Sequence, residues 1–291
     1  MKSILRRTVV SAAALALIGS AGLSACQGGK EEEATEQATT GEAAGTEAAA
    51  TEGDMDSEAA KNALGLLKKM ADYLDSQQSI QLSYDSIFEV VSEDHQKLQL
   101  ATSGTVDMQR PNKIHTTRRS GFSDTEMVFD GTTLSFLGKG QNAYIQTEAR
   151  GTVDQLIDQL RDKFHRQLPG ADLLQSGVYD ALMTDVTDVK DLGSGIINGV
   201  ECDHLAFRAK DTDWQVWIAQ GDKPYPCRYV ITSKGVDQAP QFTLEVRDWK
   251  TGGGGNFAFT PPAGATKMDV ADLEGLRDTA DLPENYRIRS E

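Results

Sequence analysis

Between Asn198 and Trp249 apolar residues fall at every second position in four short segments, 200–208, 213–218, 226–232 and 241–249, with Gly, Pro, Asp and Lys clustered at the breaks. Alternation interrupted by turn residues predicts an antiparallel meander with one buried face. The core-facing set is Leu205 and Phe207, then Trp214, Val216 and Ile218, then Phe242, Leu244 and Val246. Together these positions read as the wall of an apolar groove or as core. Trp217 falls on the opposite face of its strand from Trp214, because successive side chains point to opposite sides.

A second block of alternation precedes this one. Ile80, Leu82, Tyr84, Phe88 and Val90 alternate with polar residues, and Leu98 and Leu100 open a similar strand. Shorter strands are predicted around 113–118, 126–129, 133–137 and 143–147, with Gly121, Asp130-Gly131 and Gly138-Lys139-Gly140 as turns. Helical spacing appears twice. Ala60, Ala63, Leu64, Leu67, Ala71 and Leu74 form one stripe behind a cap at Asp56 or Ser57. Val153, Leu156, Ile157, Leu160 and Phe164 form another behind the capping box Thr152-Val-Asp-Gln155, and Pro169 closes that helix. Broken helical stretches are predicted at 171–174 and 179–183. Two strand blocks flanking a helical insert argue against a parallel α/β fold. They fit an α+β fold, a strongly curved antiparallel sheet of about ten or eleven strands wrapped around helices.

The ends of the chain change this picture. Lys2, Arg6 and Arg7 precede an apolar run over 9–18, too short to span a bilayer but suited to a secretory signal. Leu23-Ser-Ala-Cys26 follows and resembles the lipobox of bacterial lipoproteins, which implies cleavage before Cys26 and acylation of its sulfur and new amino terminus. Gln27 stands where lipoproteins retained in the inner membrane have Asp, so the resemblance favours the outer membrane of a Gram-negative envelope. Residues 26–56 are Gly, Ala, Thr, Gln and Glu, with nine acidic residues against the single Lys30, and read as a disordered tether with a reach of roughly 30 Å. The expected organisation is a signal peptide at 1–25, the tether at 26–56, a folded domain at 57–268 and an extension at 269–291. The formal charge of −15 falls to −18 without the three N-terminal cations, and the remaining Lys and Arg are scattered. Nucleic acid is therefore not an expected partner.

Several stretches resemble one family: Arg110-Pro-Asn-Lys113, Phe129-Asp-Gly-Thr-Thr-Leu134, Leu168-Pro-Gly-Ala-Asp-Leu-Leu174, Asn198-Gly-Val-Glu-Cys-Asp-His-Leu-Ala-Phe-Arg208, Asp213-Trp-Gln-Val-Trp-Ile218 and Phe257-Ala-Phe-Thr-Pro-Pro-Ala-Gly-Ala265. They are similar to the predicted periplasmic proteins called domain of unknown function 2092, whose fold resembles the lipoprotein carriers and receptors of the LolA and LolB type. The resemblance covers about 59–268 and implies a half-barrel with an apolar groove. It supplies no catalytic residue.

The residues themselves offer little chemistry. His95, His115, His165 and His204 are far apart and none has metal-ligand spacing, so no metal or cofactor is expected. Gly193-Ser-Gly195 lacks the spacing of a nucleophile elbow, Gly138-Lys-Gly140 lacks the hydroxyl residue of a phosphate loop, and Asp185, Asp188 and Asp191 do not follow a calcium-loop pattern. Cys202 and Cys227 form a candidate disulfide in an oxidising compartment. Against it, strands one and three of a meander lie about 9–10 Å apart, beyond the reach of a bridge. The expectation is a non-enzymatic lipoprotein, anchored through Cys26, that meets the lipoprotein processing and sorting machinery and holds an acyl chain such as palmitate or a lipid-like ligand. The alternative is an envelope interaction or sensor module whose groove is filled by its own side chains.

Overall fold

The structure, a computed structural model, describes residues 55–164 and 168–269. The lipobox and Cys26, nearly all of the acidic tether, His165 and the extension beyond 269 lie outside the described residues. Helix α1 (Glu58–Ser76) leads into β1 (Ser79–Val91), β2 (Lys97–Gln109), β3 (Lys113–Ser120), β4 (Asp124–Phe129), β5 (Thr133–Gly138) and β6 (Ala143–Glu148). A helical insert follows, made of α2 (Val153–Phe164), a 3-10 turn (Ala171–Leu173) and α3 (Val178–Leu182). The chain then forms β7 (Val186–Ile197), β8 (Val200–Ala209), β9 (Thr212–Ala219), β10 (Pro226–Ser233), β11 (Gln241–Thr251) and β12 (Thr266–Lys267).

Among the described residues, all twelve strands share one open sheet in the order β12-β6-β5-β4-β3-β2-β1-β11-β10-β9-β8-β7. Two meanders are thus stitched together where β1 pairs with β11, from Ile80 opposite Thr251 to Phe88 opposite Phe242. Only β12 runs parallel to its neighbour, β6. The strand count exceeds the expected ten or eleven because of two elements with weak sequence signals. In β7, Asp188, Asp191, Gly193 and Gly195 break the alternation, yet an edge strand needs a partner on one side only, and β8 supplies it across two bulges. In β12, two residues are held mainly by backbone bonds, Thr266 N–H to Asn142 O at 2.9 Å and Met268 N–H to Tyr144 O at 2.8 Å.

Both helix starts form as their sequences dictate. Ser57 Oγ accepts the Ala60 N–H at 3.1 Å. The Thr152/Gln155 box closes reciprocally, with Gln155 N–H donating to Thr152 Oγ1 at 3.2 Å and Thr152 N–H donating to Gln155 Oε1 at 3.0 Å. One face of the sheet carries both helices. Helix α1 buries Ala63, Leu67, Met70, Ala71 and Leu74 against β8, β9 and Tyr229 of β10, and α2 buries Val153, Leu156, Ile157 and Leu160 against β1 to β5. Phe136 of β5 and Phe242 of β11 stand five strand spacings apart, about 24 Å in a flat sheet. Both border the same cavity, so the sheet is curved with this face inward.

After β11 the chain crosses the outer face. Asn256 O lies 3.0 Å from His115 Nδ1, Phe257 sits 5.9 Å from the Lys113 ammonium, and Phe259 packs on Tyr144 at 5.6 Å before β12 joins the far edge. The closing Phe-x-Phe-x-Pro-Pro-x-Gly stretch therefore straps β3 to β6 from outside.

Candidate functional site

The inner face is covered unevenly, and the difference defines the site. Small residues at Ala60, Ala63 and Ala71 let α1 lie close on the sheet, nearest to β7, and Leu205, Phe207, Trp214, Val216 and Ile218 are sealed in the core it forms with β7 to β9. These five predicted positions form packed core and not groove wall. The other three, Phe242, Leu244 and Val246, face an opening of about 600 Å³ between β11, α2 and strands β1 to β5, a size usual for a small-molecule site.

Most of that opening is lined by residues from outside the predicted meander. Leu82, Val106, Ile114, Met127 and Leu134 form the sheet side, Leu156 and Leu160 the helix side, and Leu168, Gly170 and Leu174 close it. Their alternation and helical spacing were visible in the sequence, but the pairing that turns them toward Leu244 was not. Trp249 was missed for a local reason. Leu82 lies opposite both Asp248 and Trp249, since Gln81 pairs with Lys250 and Ser83 with Arg247. Asp248 takes a left-handed backbone (φ +53°) in this bulge and flips Trp249 inward. There the indole N–H donates to Tyr73 Oη at 3.1 Å and the ring stacks on Tyr225 at 5.3 Å.

The groove is graded along the strands. Ile80, Met108 and Ile114 share one row and are buried at its floor, whereas Tyr84, Gly104 and Arg118 share a row nearer the rim, and Phe88 is 39% exposed at the mouth. Gly104 has a steric reason to lack a side chain: a Cβ there would meet the Tyr84 ring at 2.6 Å and Thr117 O at 2.1 Å. The phenol lies across it, donating to Thr117 O at 3.3 Å. Burial raises the Tyr84 pKa while the Arg118 charge draws it down. Desolvation lowers that of Arg118 while Tyr84 raises it. Arg118 is the one charged side chain that lines the groove among the described residues.

The two remaining cysteines lie elsewhere. Alternation alone would put Cys202 on the outer face and Cys227, in phase with Tyr229, on the inner one. A bulge at Cys227 resolves this: Pro226 pairs with Ile218 and Arg228 with Trp217, so Cys227 is the additional residue and turns outward. The sulfurs meet 2.6 Å apart as buried thiols beside Ala219, the small residue of the intervening strand. The bulge and that alanine overcome the strand-spacing objection. Burial raises both thiol pKa values. Nearby, His204 stacks on Trp217 at 3.9 Å and faces Gln215 Oε1 at 2.9 Å, with its pKa lowered first by desolvation. No group of three His, Cys, Asp or Glu is placed to hold a metal among the described residues. No helix there is long and apolar enough to cross a membrane.

Among solved structures, the chain is similar to the lipoprotein LppX of Mycobacterium tuberculosis, with 14% identity, a TM-score of 0.36, and 68% of this chain and 99% of that one covered. LprF of Mycobacterium bovis shows 12% identity and a TM-score of 0.45, with 68% and 97% covered. A LolA superfamily protein from Nitrosomonas europaea shows 12% identity and a TM-score of 0.31, again with 68% and 97% covered. No curated protein matches the chain. The family described as predicted periplasmic protein (DUF2092) matches residues 63–271, and the chain belongs to that family.

Proposed function

We propose that this protein is a periplasmic lipoprotein that holds an acyl chain or lipid-like molecule in its groove without altering it. The observation that carries the reading is the open apolar space of about 600 Å³ between α2 and a sheet that α1 covers only in part. Such a site works by area, each buried CH₂ contributing about 0.8 kcal/mol. The test is native mass spectrometry of the gently extracted full chain. A co-purifying acyl ligand is the expected result, and a bare chain that takes up no added lipid would remove the reading. An interaction module is favoured by a different observation, Ile196 at 75% and Leu192 at 48% exposure on the edge strand β7. A bare chain recovered with a bound envelope protein would establish it.

Anchoring through Cys26 to the periplasmic face of the outer membrane follows from the lipobox and Gln27. Cys26→Ala is expected to move the protein into the soluble fraction with an unchanged melting temperature, because the tether separates anchor from domain. An unchanged membrane fraction would end the lipoprotein reading.

In that compartment the Cys202 and Cys227 thiols pass two electrons to a thiol oxidant, release two protons and close a disulfide. A loop of about 26 residues closed this way contributes on the order of 3.5 kcal/mol. Titration of the denatured, exported protein is expected to find neither thiol free, and a reductant to lower the melting temperature. Two reactive thiols would show that the pair stays reduced.

A further inference from the structure

We infer that the groove takes one single-chain amphiphile at a time, its tail ending against Ile114 and Leu134, and that this closed end sets the longest tail that gains affinity. The inference rests on the groove reading above and names its ligand class. The closed end is a filled row of the sheet. Ile80, Met108, Ile114, Phe129 and Leu134 are paired across β1 to β5, and none is more than 3% exposed. Ile114 and Leu134 border the cavity, while Ile80, Met108 and Phe129 pack beside them in the same core cluster. Helix α2 is fastened across this end. Val153 is buried there and donates its N–H to Pro111 O, in the turn between β2 and β3, at 2.9 Å. At the opposite end Phe88 stands exposed at the mouth.

Length and volume give the same answer. Leu82, Tyr84, Ser86 and Phe88 are successive inner positions of β1 and all border the cavity, so it runs about 20 Å along the strand at about 3.4 Å per residue. An extended alkyl tail advances much as an extended backbone does, about 1.2 Å per bond, so that length holds about 16 carbons. A methylene fills about the volume of a water in the liquid, about 30 Å³, so a cavity of about 600 Å³ holds about 20 of them. Two tails of this length would need more than half as much space again. Carbons beyond the mouth stay in water and add nothing to binding.

The experiment measures displacement of a pyrene-labelled alkanol from the full chain, stripped of lipid, by saturated alkanoates from decanoate to docosanoate, each below its micelle concentration. Affinity is expected to rise by up to about fourfold per added methylene and to level off between hexadecanoate and icosanoate. Native mass spectrometry should count one hexadecanoate per chain. Thr116 is the next inner position of β3 after Ile114 and borders the open space. Thr116→Phe adds about four methylene-sized groups there, and should move the break about four carbons shorter with a melting temperature near wild type. Ile114→Ala removes about three such groups and should move the break about three carbons longer. If that variant does not fold, Thr116→Phe decides alone. An affinity still rising at docosanoate, two hexadecanoates per chain, a probe that no alkanoate displaces, or a break that Thr116→Phe leaves in place would overturn the inference and leave the groove reading standing. No binding of the probe or of any alkanoate would overturn both.

Discussion

Replacing Trp214 by alanine is expected to lower the unfolding free energy by about 3–5 kcal/mol, the usual cost of emptying a buried aromatic site. The indole is 5% exposed, stacks on Phe207 with ring centroids 3.8 Å apart and meets the Tyr229 ring edge-on at 5.8 Å. All three rings lie beneath α1, whose own contacts depend on them. Trp217, three residues on, lies on the outer face between His204 and, at 5.5 Å, the Arg228 guanidinium. It is half-buried, so Trp217→Ala should cost about 1 kcal/mol, by loss of stacking and cation-π contact. Denaturant melts of the two variants decide the matter. Equal losses would contradict the assignment of inner and outer faces across β9.

Leu244→Trp is expected to reduce acyl binding by about ten- to fifty-fold while leaving the melting temperature within a few degrees of wild type. Leu244 lies near the middle of the β11 wall, and its Cδ2 is 3.1 Å from where a Cβ on Gly170 would stand. A larger ring here projects into open space and displaces guest, not protein. Excluding two or three methylenes at about 0.8 kcal/mol each accounts for the loss of affinity. Were the space filled by the protein's own side chains, the same substitution would overpack it and cost about 1–3 kcal/mol of stability. Titration with a fluorescent fatty acid and a thermal melt on the same variant separate the cases. Lowered stability with unaltered binding would relocate the ligand away from β11.

The elements of this fold were legible wherever one residue type repeats with one period. The stripe of α1, the Thr152/Gln155 box, and the inner phase of β8, β9 and most of β11 follow from local rules, because burial of one face imposes a period of 3.6 or 2 on the chain. The split between Trp214 and Trp217 was local in the same sense. The resemblance of Leu23-Ser-Ala-Cys26 to a lipobox is of another kind, a reading of a linear segment that lies outside the described residues.

The groove depended on contacts between residues far apart in sequence. Eight meander residues share the same alternation, yet five are core and three line the cavity. What separates them is where α1 lies, and no period in the meander records the position of a helix more than a hundred residues earlier. The pairing of β1 with β11 likewise brings Tyr84 opposite Val246 and sets one meander's wall against the other's. Two bulges completed the arrangement by adding one residue each: at Asp248 one turns Trp249 into the groove, and at Cys227 the other turns a thiol out toward Cys202. A strand's period of two determines faces only up to the first such insertion. By itself, then, the sequence determined the two long helices, ten of the twelve described strands and, up to each bulge, which side of those strands is apolar. Only the tertiary structure decided which apolar side is filled by a helix and which is left open, because that depends on how strands distant in the chain are paired and on the volume left between them.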